Sequence, residues 1–234
     1  MKFVKSVFVL VLIFSIALSS IGCTIVRISD SQIISGGKKS DANADPDSVA
    51  NYYHDNIFDA TAFVDGIWDD EVVPYVQENA LDFSELIAAL SSDFHATGDQ
   101  FGQSKAKNAD SYSFLTKAVG VVLEFNEESR VRFITLDVEP QDGQADLSVY
   151  VGPTYKGDSM RNALPFLNFS DFQSQNDWAD LTKAINAKVN DTVIAPFDVP
   201  ALVGKSVEVY GAFTAYEGDE QVSVAPIIMQ KLGD

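Results

Sequence analysis

The sequence is short of cysteine, of histidine and of positive charge. One Cys in 234 residues, Cys23, excludes an intramolecular disulfide and any cysteine-based metal cluster. Two His, His54 and His95, have no second ligand at metal spacing, so no metal site is expected. Sixteen Lys and Arg face 34 Asp and Glu, a net charge of −18. A chain that acidic lacks the cations that displace counterions from a nucleic-acid backbone, or that hold a protein to an anionic leaflet. The loops of familiar chemistry are missing too. There is no Gly-x-Ser-x-Gly elbow and no His-Glu-x-x-His pair, and Gly204-Lys205-Ser206 lacks the Gly-rich approach of a phosphate loop. The carboxylates of Asp69-Asp70-Glu71 and of Glu127-Glu128 are sequence neighbours, and none is singled out as half of a pair across a cleft. No catalytic residue and no cofactor is therefore expected, and the chain is read as a non-enzyme.

What is present begins with an address. Lys2 and Lys5 precede an uncharged apolar run from Phe8 to Leu18, which is too short to span a bilayer. Ser19, Ser20 and Gly22 then lead to Cys23. This is the layout of a signal peptide over residues 1–22. A lone Cys directly after Gly22 resembles a bacterial lipobox, with Ser20 where Leu is usual. The resemblance implies that Cys23 is acylated and becomes the mature N-terminus. Thr24 follows, with no Asp to suggest retention at the inner membrane, so the outer membrane is the expected leaflet. Loss of Lys2 and Lys5 makes the mature chain still more acidic. Attachment would then rest on the acyl chains, each buried CH₂ contributing about 0.8 kcal/mol.

The body contains enough apolar residues, 46%, to build a core. Residues 23–56, with Gly36-Gly37 and Pro46, read as lipidated Cys and tether. Residues 57–105 read as a helical hairpin. In its first helix Asp59 is the N-cap of a 58–80 segment carrying Phe63, Val64, Ile67, Trp68, Val72 and Val76 at helical spacing, with Pro74 as a kink. The second starts at Asp82 with Glu85 in a capping box, and 94–102 is its frayed continuation. Residues 106–234 read as β-rich: strands at 112–125, 131–138 and 147–151, a helix at 177–189, then strands at 205–215 and 221–232. Three strands, a helix and two strands is the order of an OB-fold barrel. The expected class is α+β: an N-terminal helical hairpin followed by a five-stranded OB-like Greek-key barrel, with a helix between strands three and four.

Several segments then become recognisable together. Gly152-Pro153, Lys156-Gly157, Met160-Arg161-Asn162-Ala163, Phe166, Phe169, Asp171-Phe172 and Gln175 form one; Trp68 to Tyr75 is a second; Gly204-Lys205 with Gly211-Ala212-Phe213 is a third. With the lipobox, they resemble the domain of unknown function 2291 family of predicted periplasmic lipoproteins, over essentially the whole mature chain. Asn162 stands where the family commonly has Asp, and Ser174 where it has Asn. The resemblance implies an OB-like barrel and an accessory role near sugar ABC-uptake systems.

Candidate binding residues cluster in the same stretch. Arg161, a planar and permanently charged fork, lies near Asp158, Asn162, Asp171 and Gln175. Two arrangements follow: Arg161 orients an anionic or polyhydroxyl ligand, or it bridges Asp158 or Asp171 and fixes the loop. Phe169 and Phe172, with Phe166 and Trp178, form either a sugar-stacking platform or core. The leading expectation is a non-catalytic periplasmic lipoprotein that binds a small polar ligand or a component of a sugar ABC-uptake system. The alternatives are an envelope structural protein docking through the apolar face of residues 63–76, and a hydrolase or transferase with an unfamiliar site.

Overall fold

The computed structural model describes residues 48–233, apart from 104–108, 129 and 220. Cys23, the leader and nearly all of the expected tether lie outside the described residues.

The end of that tether belongs to the folded body. After a 3-10 turn at Val49–Tyr52, β1 (Tyr53–His54) and β2 (Ile57–Phe58) form a small hairpin. Its two-residue turn, Asp55-Asn56, has φ of 52° and 64°, the left-handed geometry that matches strand twist and that Asn and Asp tolerate. The Tyr53 hydroxyl donates to Asp177 Oδ2 at 2.9 Å and accepts the Gln173 N–H at 3.0 Å.

The helices follow their caps. Asp59 accepts the Ala62 N–H at 3.0 Å and starts α1 (Ala60–Ile67). The helix then widens into a π turn at Trp68–Val72 and resumes as α2 (Val73–Asn79). Pro74 falls in the first turn of α2, where a missing N–H costs little, so the interruption lies one turn before the proline. A two-residue strand, β3 (Leu81–Asp82), leads into α3 (Phe83–Ser92), capped where Asp82 accepts the Glu85 N–H at 3.1 Å. The expected frayed end is a separate helix, α4 (Phe94–Phe101). The extended residue Asp93 caps it through the Ala96 N–H at 2.9 Å.

Five long strands close into a barrel: β4 (Ser111–Asn126), β5 (Val131–Val138), β6 (Leu147–Pro153), β7 (Ser206–Tyr216) and β8 (Val222–Leu232). The order is β4-β5-β6-β8-β7, closing where β7 pairs back on β4. β4 serves two neighbours because it bends at a bulge between Val122 and Glu124. Its residues 111–121 pair with β7, and 120–126 with β5. β6 and β8 run parallel, from Leu147↔Val222 to Val149↔Val224. Between β6 and β7 the chain passes through a short helix, α5 (Ser159–Asn162), and the longer α6 (Gln175–Lys188).

The structure departs from the expected hairpin and strand count in one linked way. β3 joins the sheet as a sixth member, parallel to β4 at Thr116 and Lys117. The Thr116 hydroxyl donates to the Leu81 carbonyl at 3.0 Å, and Gln103 bridges Ser113. The edge of β4 away from β7 is thus covered in turn by Gln103, β3 and β5, which removes an open strand edge. The helices pack on the barrel and its crossover helix: α1 on α6, α2 on β4, β7 and β8, and α3 on β4 and α4. Phe63, Val64, Ile67, Trp68, Val72 and Val76 are all at most 4% exposed and join the same core as the barrel. The described residues fall within one compact unit, 43–234, with no break at residue 105. The apolar face of 63–76 is therefore internal and is not a docking surface.

Candidate functional site

The first question is where Arg161 points. It is 7% exposed, on α5, which packs against β7, β8 and α6. Its Nη2 meets Asp158 Oδ2 at 2.7 Å. Nη1 donates to Thr182 Oγ1 at 2.6 Å and to the Trp178 carbonyl at 3.0 Å. Nε and Nη2 reach the Asn162 amide oxygen at 3.3 and 3.2 Å. The guanidinium carbon lies 4.2 Å from the centre of the Trp178 ring, a cation–π contact. Five N–H donors meet five bonds, so no donor is left for a ligand. Burial pulls the Arg161 pKa below its ordinary value, and the adjacent Asp158 opposes that shift. Arg161 bridges Asp158, and its bonds to Trp178 and Thr182 join the loop after β6 to α6.

The remaining candidates separate by environment. Asp158 and Asn162 are exposed, hold Arg161, and line a groove described below. Asp171 ends a 3-10 turn and Gln175 opens α6; both are exposed, and neither lines that groove. Phe172 is 7% exposed, its ring centre within 5.1 to 5.9 Å of those of Phe58, Phe63 and Trp178. Phe169 meets Trp178 edge-on at 6.0 Å and is partly exposed. With Arg161 on its face and two Phe beside it, Trp178 is held by protein, and the aromatic stripe is chiefly core.

Three strand ends and one loop enclose the groove, about 810 Å³ in volume. Ser111 and Ser113 come from β4, Thr214 and Tyr216 from β7, Ser223 from β8 and Gln221 from the residue just before it, with Tyr150 from β6. The opposite wall is the loop after β6, including Lys156, Asp158, Asn162 and Asn168. The groove opens because β7 and β8 stop pairing beyond Ala212↔Ala225. Gly211 sits at the bulge that starts this divergence, where a Cβ would meet the Ala225 carbonyl, so a side chain is not accommodated. Ser113 and Thr214 share a hydroxyl hydrogen bond at 3.0 Å. The Ser159 hydroxyl donates to the Ala212 carbonyl at 3.2 Å and ties the loop to β7.

Sequence reasoning missed the strand residues of this groove. A signal was there: Ser111-x-Ser113, Thr214-x-Tyr216 and Gln221-x-Ser223 each repeat with the two-residue period of one strand face. Only the β4–β7 register, with the start of β8 held by its pairing to β6, shows that these faces coincide. Among the described residues no group of His, Cys, Asp and Glu is arranged to hold a metal ion.

A family model described as predicted periplasmic lipoprotein, domain of unknown function 2291, matches residues 11–230. No curated protein matches the chain. Among solved structures, an OB-fold protein from Thermotoga maritima is similar at TM-score 0.63 and 17% identity, covering 75% of this chain and 99% of that one. An OBody bound to hen egg-white lysozyme covers 52% of this chain and 82% of its own, at 14% identity and TM-score 0.27. The first likeness is one of fold: the barrel is an OB-fold.

Proposed function

We propose, for a chain that belongs to the domain of unknown function 2291 family of predicted periplasmic lipoproteins, that it is a non-catalytic accessory protein binding a polyhydroxylated ligand. The observation that carries this reading is the lining of the groove. Its polar groups are mostly hydroxyls and amides, from Ser111, Ser113, Thr214, Gln221, Ser223 and Asn168, and the exposed ring of Tyr216 stands at its lip. Hydroxyls and amides both donate and accept, which suits a ligand whose groups do the same. An exposed aromatic face suits the C–H face of a sugar ring. The volume lies in the range of small-molecule sites, about 300–1,000 Å³.

One observation supports the non-catalytic part. Asp158, the one carboxylate among the described lining residues, is engaged by Arg161, whereas general acid–base work needs a group free to exchange a proton. Among the described residues no helix is long and apolar enough to cross a membrane. Acylated Cys23 would supply the attachment, with the outer membrane as the proposed leaflet and a sugar ABC-uptake system as the proposed setting.

Calorimetry with neutral mono- and oligosaccharides and with sugar phosphates tests the reading. A neutral sugar should bind, and Asn168→Ala with Ser111→Ala should weaken it about tenfold while the melting temperature holds. Failure of every neutral sugar, or binding indifferent to both substitutions, refutes it.

A further inference from the structure

A second groove lies on the other side of the β7–β8 hairpin, between its tip and the turn joining α3 to α4, with a volume of about 570 Å³. Its floor is apolar: Ile87 and Leu90 of α3 and Phe94 of α4 are half-buried over the buried Phe213. Its rim is acidic: Asp93, Asp146, Glu217 and Asp219 are all exposed. No Lys or Arg is among the described residues that line it, and the imidazole Nε2 of His95 lies 3.8 Å from Glu217 Oε2.

Three of these carboxylates are fixed by the backbone. Asp93 accepts the Ala96 N–H at 2.9 Å, Asp146 that of Val138 at 2.8 Å, and Asp219 that of Tyr216 at 3.0 Å. Like charges are thereby held around an apolar floor that water hydrates poorly. A groove lined by charge of one sign attracts a ligand of the other. Tyr216, 56% exposed at the shared hairpin, adds a ring face that attracts Lys or Arg.

We propose that this groove docks a basic, amphipathic segment of a partner protein, with apolar side chains on Ile87, Leu90 and Phe94 and flanking Lys or Arg on the carboxylates. The occupant is set by charge complementarity, which governs both encounter rate and choice of partner. The apolar floor separates this occupant from a simple polycation. The inference does not depend on the sugar groove, because Asp146, Glu217 and Asp219 do not line it.

The test uses the full-length chain in neutral detergent, with a fluorescein-labelled peptide of alternating Lys and Leu. Alternating Glu-Leu and Lys-Ser peptides are comparators, and a detergent-only blank is subtracted. Asp146→Asn/Glu217→Gln/Asp219→Asn removes three charges and keeps the side-chain oxygens that accept the backbone bonds. The Lys-Leu peptide should bind, the triple variant should weaken it about tenfold, and Ile87→Ser should weaken it too. Raising salt should act in the same direction. Asp69→Asn/Asp70→Asn/Glu127→Gln, an equal loss of charge at exposed sites elsewhere, should leave it unchanged. Absence of binding, equal binding of the Lys-Ser peptide, or equal weakening by the two triple variants overturns the proposal. Saccharide binding should survive the rim variant, so the two sites fail separately.

Discussion

Arg161 offers the sharpest test of the distinction between a ligand anchor and an internal brace. Arg161→Ala removes five hydrogen bonds and a cation–π contact at a position 7% exposed. A charge-assisted hydrogen bond contributes about 1.5–3 kcal/mol, but the five losses do not add. Asp158, its side chain 47% exposed, rehydrates when its partner leaves. Thr182 keeps a bond to the Trp178 carbonyl, at 3.5 Å. What remains is the loss of the Thr182 and Trp178 bonds, of the ring contact and of buried volume, together about 3 kcal/mol. For a chain of this size that lowers the melting temperature by about 6–12 °C. Arg161→Lys keeps the charge and loses the fork, so most of the destabilisation should persist. A double-mutant cycle in urea apportions it. Coupling of Arg161 to Asp158 should stay at about 1 kcal/mol, because the half-exposed carboxylate is solvated without its partner, and coupling to Thr182 should be larger. A variant that melts like wild type yet no longer binds sugar would refute the brace and restore the anchor.

Four further outcomes are expected. Gly98→Ala should destabilise, against the helix propensity it gains, because a methyl there overlaps the Tyr112 ring; a cost of about 1–3 kcal/mol in urea unfolding supports this packing, and a gain in stability contradicts it. Burial pushes the Tyr155 hydroxyl above its ordinary pKa, so the folded state keeps that proton longer. Its contribution is complete below about pH 10 and is lost as pH rises beyond; Tyr155→Phe should flatten the alkaline fall in stability, and an unchanged slope rejects the assignment. Cys23→Ala should leave the precursor unprocessed, with its leader still attached and no acyl chain added; normal maturation removes the lipoprotein reading. Residues 106–234 expressed alone should be insoluble, since β4 then loses β3 and Gln103 from its edge; a folded fragment by circular dichroism would show that the helices are dispensable.

The strands were legible because β-branched and aromatic residues recur between turns. The 131–138 strand agrees at both ends, and the others fall within one or two residues. The caps Asp59 and Asp82 were legible as well, since a side-chain oxygen one residue before an apolar face satisfies a free N–H. The hairpin boundary failed for a different reason. An amphipathic face at Phe63, Ile67 and Trp68 reveals that something must cover it, and not what does. Its cover is distributed over α6 and the barrel strands, far away in sequence. The candidate site was legible only in part: Arg161 was found because Arg in a loop is conspicuous, and only its four acceptor atoms, two of them on α6, show that its bonding capacity is filled.

Local chemistry therefore determined the elements that local chemistry makes: turns, caps and strand periods. Tertiary structure decided everything that needs two distant segments at once. It brought Ser113 and Thr214 to one groove through the β4–β7 register, with Ser223 beside them through the pairing of β8 to β6, and it turned an apparent hairpin into the cover of a strand edge. It also placed four carboxylates around one apolar floor. Hydrogen bonds within a turn depend on neighbours a few residues away. The closure of a barrel depends on which strands meet, and no window of the chain contains both partners.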